Sequence, residues 1–430
     1  MTNIAEARRV IEQACALGAT DFCVCAGSRN APLLAVLAKS DLRIYSFVDE
    51  RSAAFFALGR AKLTGRPAAI VTTSGTAVAE ILPAAIEAHY SGTPLILITA
   101  DRPARYRGTG APQSIEQEEI FGVYARGSVV HINVEFDEPL IDEEVASFSW
   151  ERWRPARSPH EPAGETPAFP GRQPILIVGG LDPYDRARVH DFAKKLNAPI
   201  YAEPLSGLRE DPDLADLIIT AGERMIGRGK FDSVIRIGNV PTLRFWRDLD
   251  ESRRDLPLIS FSSLSFTGCS RGEVHPLESL PDDVVRCDRD DAFFADDRER
   301  AAAIAKILDD EPQSELAMFR SLSEFISPNA RVYLGNSLPI REWDLAAARE
   351  PRGFEIAANR GANGIDGQLS TFFGQCDPSR PNVAIVGDLT AIYDSNAPWI
   401  VPQLDAGIDW RIVIINNGGG RIFSRVPSLR

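Results

Sequence analysis

Two stretches near the end of the chain constrain its fold most: Val383-Ala-Ile-Val-Gly387-Asp388-Leu-Thr and Ile412-Val-Ile-Ile-Asn416-Asn417-Gly418-Gly419. Each is an apolar run of strand length that ends in a polar cluster, the pattern of a parallel strand buried on both faces. In open α/β sheets ligands sit beyond the carboxyl ends of the strands. Asp388 and Asn417 are therefore expected to face one ligand as two hard oxygen donors beside a glycine-rich turn. Magnesium carrying a diphosphate suits that set, because the ion takes few protein oxygens and completes its octahedron with water and phosphate. The backbone at Gly418-Gly419-Gly420 can approach phosphate closely. Two ordinary core strands with polar ends would read the same way, so the rest of the chain has to decide.

At 430 residues and 44 % hydrophobic content, the chain has room for two or three domains with real cores. A net charge of −13 argues against a nucleic-acid or anionic-membrane surface. An acidic protein that handles anionic substrates must gather arginines locally. The N-terminus reads as the opening of an amphipathic helix without a secretory apolar region, and no apolar run is long enough to span a bilayer. The six cysteines show no metal-ligand spacing and read as reduced, mostly buried thiols of a cytoplasmic protein. The five histidines are scattered, and a zinc centre is not expected.

The first ~140 residues alternate strand and helix patterns. Strands are expected at 22–25, 44–48, 68–72 and 94–100, and helices at 30–38, 51–63 and 77–89. Six prolines between Trp153 and Pro174 mark a linker. A second α/β unit follows, with strands expected at 175–178, 217–220, 234–237 and 258–261. The acidic stretch from Asp282 to Arg300 alternates carboxylates with arginines and reads as a solvated connection and helix start. A third unit opens at Arg331 and carries the Asp388 and Asn417 strands. The fold class is thus α/β, with three doubly wound parallel-sheet domains at 1–150, 174–310 and 315–430. The third is expected to be incomplete at its C-terminus, because the chain ends seven residues after Phe423.

Several polar clusters stand at strand ends: Gly27-Ser28-Arg29-Asn30, Asp49-Glu50-Arg51, Thr73-Ser74-Gly75-Thr76, Asp101-Arg102-Pro103 and Gly110-Ala-Pro-Gln113-Ser-Ile-Glu-Gln117. The third unit adds Gly335-Asn336-Ser337-Leu-Pro-Ile-Arg341, Asn359-Arg360-Gly-Ala-Asn-Gly-Ile-Asp366-Gly and Asn417-Gly-Gly-Gly-Arg-Ile422-Phe423. Gly387-Asp388 followed by Asn416-Asn417 resembles the thiamine-diphosphate motif, with Leu389 where glycine is usual. In this order the clusters resemble the 2-succinyl-5-enolpyruvyl-6-hydroxy-3-cyclohexene-1-carboxylate synthases of menaquinone biosynthesis. The resemblance is strong over residues ~1–125 and ~331–428 and loose between them.

That family decarboxylates 2-oxoglutarate on thiamine diphosphate and adds the resulting acyl unit to isochorismate, so the resemblance implies a thiamine-diphosphate-dependent transferase. It implies that Glu50 hydrogen-bonds the aminopyrimidine ring, and that Asp388, Asn417 and the Gly419 carbonyl hold Mg2+ (or Mn2+). Ser74, Gly75, Thr76 and Gly387 are implied to contact the cofactor, and Ile422 and Phe423 to hold it bent. Both substrates are dicarboxylates, and the planar fork of arginine suits carboxylate binding. Arg29, Arg102, Arg341 and Arg360 are implied as substrate contacts, with Ser28, Gln113 and Ser337 beside them. Arg244 stands where the family often has lysine and is implied as a further contact. A homodimer with sites at its interface is implied, with no nucleic-acid or membrane partner. Two alternatives stand beside this reading: another thiamine-diphosphate 2-oxoacid decarboxylase or synthase, and an inactive relic of the family.

Overall fold

The structure is a computed structural model, which describes residues 1–147, 149–150, 169 and 171–425. Most of the proline-rich linker lies outside the described residues. The chain divides into two compact units, Met1–Ser158 with Asn359–Arg430, and Pro159–Ala358. Its strands in order are β1 (Asp21–Cys25), β2 (Arg43–Phe47), β3 (Ala68–Thr72), β4 (Leu95–Asp101), β5 (Val129–Glu135), β6 (Pro174–Val178), β7 (Ile200–Ala202), β8 (Ser233–Ile237), β9 (Leu258–Phe261), β10 (Glu273–His275), β11 (Arg331–Leu334), β12 (Glu355–Ala357), β13 (Asn382–Gly387) and β14 (Trp410–Ile415). The protein is α/β, and its named ladders are parallel.

In the first unit the sheet runs β2-β1-β3-β4-β5. The central strands β1, β3 and β4 are buried along their whole length, which explains why their letters run apolar without alternation. The strand order reverses between β1 and β3, so the carboxyl ends of these two strands border the crevice where such sheets take ligands. The same unit holds the β13–β14 ladder, in register with Gly387 opposite Ile415.

The helix Glu50–Thr64 is buried along most of its surface, and the helix Gln368–Gln375 along all of it. They approach so closely that a Cβ on Gly59 would stand 2.2 Å from the Thr371 carbonyl, and one on Gly374 would stand 2.2 Å from the Phe56 carbonyl. Only glycine fits at both points of contact.

In the second unit the sheet runs β10-β9-β8-β6-β7. Its reversal lies between β6 and β8. Here the Gly179 N–H donates to the Ile237 carbonyl (2.9 Å) and the Asn239 N–H to the Gly180 carbonyl (3.0 Å), which ties the two strand ends together. Strands β11 and β12 pair in this unit too.

Three expectations need correction. Residues 217–220 form no strand: the segment leaves a turn at Leu214 and makes one isolated bridge, Ile200 to Ile218. Its end is then held by Asp297, which accepts from the N–H groups of Thr220 and Ala221 and from the Thr220 hydroxyl. Asp297 is fully buried, so the acidic stretch is not solvated throughout. The expected helix 77–89 is two helices, Thr76–Glu80 and Leu82–Ser91. Pro83 in the first turn of the second lacks the N–H that would continue the ladder.

Replacing Gly59 with valine should force the two helices apart, at a cost of about 1–3 kcal/mol for overpacking. A scan of thermal unfolding should show the midpoint lowered by several degrees. An unchanged midpoint would mean the helices do not depend on this contact.

Candidate functional site

The reversal point of the first sheet brings together clusters far apart in sequence. A Cβ on Gly27, just after β1, would stand 2.5 Å from the Thr73 Cβ, just after β3. Gly75 has φ +86, and a Cβ there would meet Gln113 at 3.1 Å. Gln113 itself is exposed with φ 55. The Gly75 N–H donates to Gln117 Oε1 (3.2 Å), while Gln117 Nε2 donates to the Ala100 carbonyl (2.9 Å) and to Asn133 Oδ1 (2.8 Å). Gln117 thus fixes the Ser74-Gly75-Thr76 turn to the ends of β4 and β5. The buried hydroxyls of Thr72, Thr73 and Ser74 have no partner among the described residues. Orphaned hydroxyls beside a glycine turn suit a ligand that brings polar atoms of its own.

Glu50 is the first residue of its helix, and Asp49 caps it by accepting from the Ser52 N–H (3.1 Å). The two neighbouring carboxyls are driven in opposite directions. Burial raises the pKa of Glu50, and the charges of Asp49 and Glu80 add to this. At Asp49 burial also acts upward, but hydrogen bonds from Asn396 and from the Ser52 and Arg51 backbone outweigh it and leave the pKa lowered. Asn396 Nδ2 donates to Asp49 at 2.9 Å, and Arg51 Nη2 donates to the Tyr393 carbonyl at 3.0 Å with its guanidinium 4.7 Å over the Tyr393 ring. The flanks of Glu50 are therefore tied to the segment that follows Asp388.

Gly387 ends β13 opposite Ile415, which ends β14, so Asp388 and Asn416-Asn417 follow two neighbouring strand ends. Asp388 Oδ1 accepts the Leu389 N–H (2.8 Å), and the Asn417 carbonyl accepts from Arg421 Nε (2.9 Å). Gly418, Gly419 and Gly420 have φ values of 84°, 74° and 64°, a run that side chains do not tolerate. A Cβ on Gly419 would meet the Leu389 side chain at 3.2 Å, so Leu389, which departs from the usual motif glycine, lies against this turn. Ile422 and Phe423 follow, the latter 59 % exposed. The donor set, a carboxylate and an amide oxygen beside a turn with close backbone access, fits a hard cation carrying a diphosphate.

Among the sequence-predicted arginines, Arg29 is buried, donating to the Phe136 carbonyl (2.9 Å) and lying 3.4 Å from Glu138. Arg102 lies over the Tyr106 ring at 5.4 Å. Ser28 and Thr76 are exposed at their turns. Arg360 sits on a loop held by Glu87, whose carboxylate accepts the N–H groups of Gly361 (2.8 Å) and Ala362 (2.7 Å). Lys62 Nζ lies 3.8 Å from Glu87 and donates to Asn359 Oδ1 (2.8 Å). Arg244, Ser337 and Arg341 belong to the second unit. There the Arg244 N–H donates to Glu223 (2.9 Å), and Arg341 donates to the carbonyl of Ser337, itself at φ 71. Sequence reasoning missed Glu87 and Lys62 and gave Gln117 only as part of its cluster, without its role at the turn. The clue to Glu87 was a lone acid in the apolar run Ala84-Ala-Ile-Glu-Ala.

Residues 6–120 match the family described as thiamine pyrophosphate enzyme, N-terminal TPP binding domain. The chain is thus a thiamine-diphosphate-dependent enzyme of the transferase class. It is 44 % identical over 460 residues, 99 % of this chain and 87 % of the relative, to 2-succinyl-5-enolpyruvyl-6-hydroxy-3-cyclohexene-1-carboxylate synthase of Bdellovibrio bacteriovorus. Enzymes of the same name from Akkermansia muciniphila (39 %, 98 % of this chain and 84 % of the relative) and Bacillus velezensis (33 %, 95 % and 82 %) also match. The chain belongs to the 2-succinyl-5-enolpyruvyl-6-hydroxy-3-cyclohexene-1-carboxylate synthase family.

Glu87→Gln should leave the Lys62 ammonium without its buried counter-charge and cost about 3 kcal/mol. Thermal unfolding should register the loss, and hydrogen exchange at Gly361 and Ala362 should speed up. Unchanged exchange there would show that the loop does not depend on Glu87. A pH effect follows from His131, 2.7 Å from the Thr99 hydroxyl, whose pKa burial pulls down to about 4. On acidification the unfolded chain takes up this proton first, near its ordinary value. The His131 contribution is therefore whole above pH ~6.5 and falls by about 3 kcal/mol as pH drops to ~4. His131→Gln should flatten that part of the stability profile, and parallel profiles would refute the assignment.

Proposed function

We propose that this chain joins a succinyl unit derived from 2-oxoglutarate to isochorismate, with loss of carbon dioxide, giving 2-succinyl-5-enolpyruvyl-6-hydroxy-3-cyclohexene-1-carboxylate for menaquinone biosynthesis. The observation that supports the reading is the register of Gly387 opposite Ile415, which puts the residues just beyond two adjacent strand ends, Asp388 and Asn416-Asn417, beside the Gly418–Gly420 turn. Thiamine diphosphate, when bound, supplies the electron sink for cleaving and forming the carbon–carbon bonds.

Asp388, Asn417 and the Gly419 carbonyl would hold Mg2+ (or Mn2+), with Gly387 beside the diphosphate. Ser74, Gly75 and Thr76 would line the cofactor cradle, and Ile422 and Phe423 would press on the ring system. Glu50 would hold or release a proton at the aminopyrimidine ring, a task its raised pKa suits. Arg29, Arg102, Arg244, Arg341 and Arg360 would take substrate carboxylates, with Ser28, Gln113 and Ser337 as neutral donors. Residues 1–150 would form the pyrimidine-binding domain, 174–310 a central domain and 315–430 the diphosphate domain.

A homodimer with shared sites is part of the proposal, supported by exposed apolar side chains at Val48, Ile392, Trp399 and Phe423 in the first unit. A cytoplasmic setting accords with six cysteines that form no disulfide among the described residues. Among the described residues no helix is long and apolar enough to cross a membrane.

The purified chain, given thiamine diphosphate, magnesium, 2-oxoglutarate and isochorismate, should form the joined product only when the cofactor is present. Glu50→Gln should lower turnover by about 10²-fold or more while cofactor affinity, read by calorimetry, stays within a few-fold. Near-wild-type turnover in that variant would sink the role given to Glu50.

A further inference from the structure

The middle strand of the second sheet carries a cation in its core. In β8, Val234, Ile235 and Ile237 are buried, and Arg236 among them is 0 % exposed. Its register partners are Ile177 on β6 and Ser260 on β9. Nε, Nη1 and Nη2 of Arg236 have no acceptor among the described residues, and neither has Nε1 of Trp246. The guanidinium lies over the Trp246 ring, 5.7 Å from its centroid.

That stacking satisfies the face of the cation but leaves its in-plane N–H groups without acceptors. No carboxylate pairs with Arg236 among the described residues. The group that acts on its charge is the Cys269 thiol, whose sulfur sits 3.6 Å from the Trp246 carbonyl. Burial pushes that thiol up to about 11, so near neutral pH it is S–H and offers no negative charge. Burial lowers Arg236 only to about 10, and the guanidinium stays charged. A desolvated cation with several unused donors calls for an acceptor that is not a side chain.

We propose that Arg236, with Trp246 as its stacking partner and adjacent donor, forms an internal site for one small inorganic anion of chloride size. Burial sets the size, since Arg236 at 0 % and Trp246 at 3 % exposure leave no open mouth for a dicarboxylate or a nucleotide. The planar fork directs its N–H groups away from the indole face, so the anion lies in the guanidinium plane. The site does not rest on the proposed activity, although Trp246 shares its helix with Arg244.

The test is thermal unfolding of the full chain against sodium chloride, with sodium gluconate holding ionic strength constant. The wild type should gain about 2–4 °C and then saturate, as a ligand that binds only the folded state requires. Arg236→Met, which keeps the stem and removes the charge, should show no chloride response. Equal responses in the two proteins, or none in the wild type, would overturn the site. Should the variant not fold, wild-type crystals soaked in sodium bromide decide: an anomalous peak within hydrogen-bond reach of the guanidinium supports the site, and an ordered water there alone refutes it.

Discussion

The close approach of the helices Glu50–Thr64 and Gln368–Gln375 organises the first unit. A carbonyl of each helix lies where the other's glycine would carry a Cβ, so neither helix can slide without a clash. The first of them begins with Glu50 and carries Lys62 near its end. The second is held at Ser370, whose N–H and hydroxyl donate to the buried Asp394 carboxylate (2.7 and 3.1 Å). Asp394 closes the short helix that starts at Asp388. One contact between two glycines thus fixes the spacing between the Glu50 turn and the Asp388 turn, which come from opposite ends of the chain.

Electrostatics then separates carboxyls that sequence alone treats alike. Asp49 receives enough hydrogen bonds to stay ionised, while its neighbour Glu50 is held up by burial and by nearby negative charge. Environments that push adjacent acids apart are how one turn can hold two carboxyls in different electrostatic states. Glu87 shows the same economy in another form. It is buried but meets two backbone N–H groups and a lysine, so its charge orders the Asn359–Ala362 loop.

Strands β1, β3 and β4 were legible because burial on both faces gives uninterrupted apolar runs, and 68–72 was bounded to the residue, whereas the half-buried β5 at the sheet edge was not expected. Residues 217–220 misled because a short apolar run fills core space equally well as a bridged turn, and periodicity does not distinguish the two. The break at Ile81 follows from Pro83 and was open to notice. That the segments after β13 and β14 lie side by side could be read because the ends of neighbouring parallel strands converge. Gln117 and Lys62 could not be read this way, because their partners lie on distant segments; Glu87 left only the trace of a lone acid in an apolar run.

The division of labour among the arginines depends on what already occupies each one. Arg29 is buried and donates to the Phe136 carbonyl beside Glu138, so part of its hydrogen-bonding capacity goes to holding the chain after β5. A substrate carboxylate at Arg29 would have to compete with Glu138 at 3.4 Å, a side chain exposed enough to swing away. Arg102 lies over the Tyr106 ring and pairs with no carboxylate among the described residues. In a protein of net charge −13, a site for two dicarboxylates needs cations whose own acid partners can yield. By that criterion Arg102 is the stronger candidate for first contact with an incoming carboxylate, and Arg29 the better candidate for fixing the floor on which it lands.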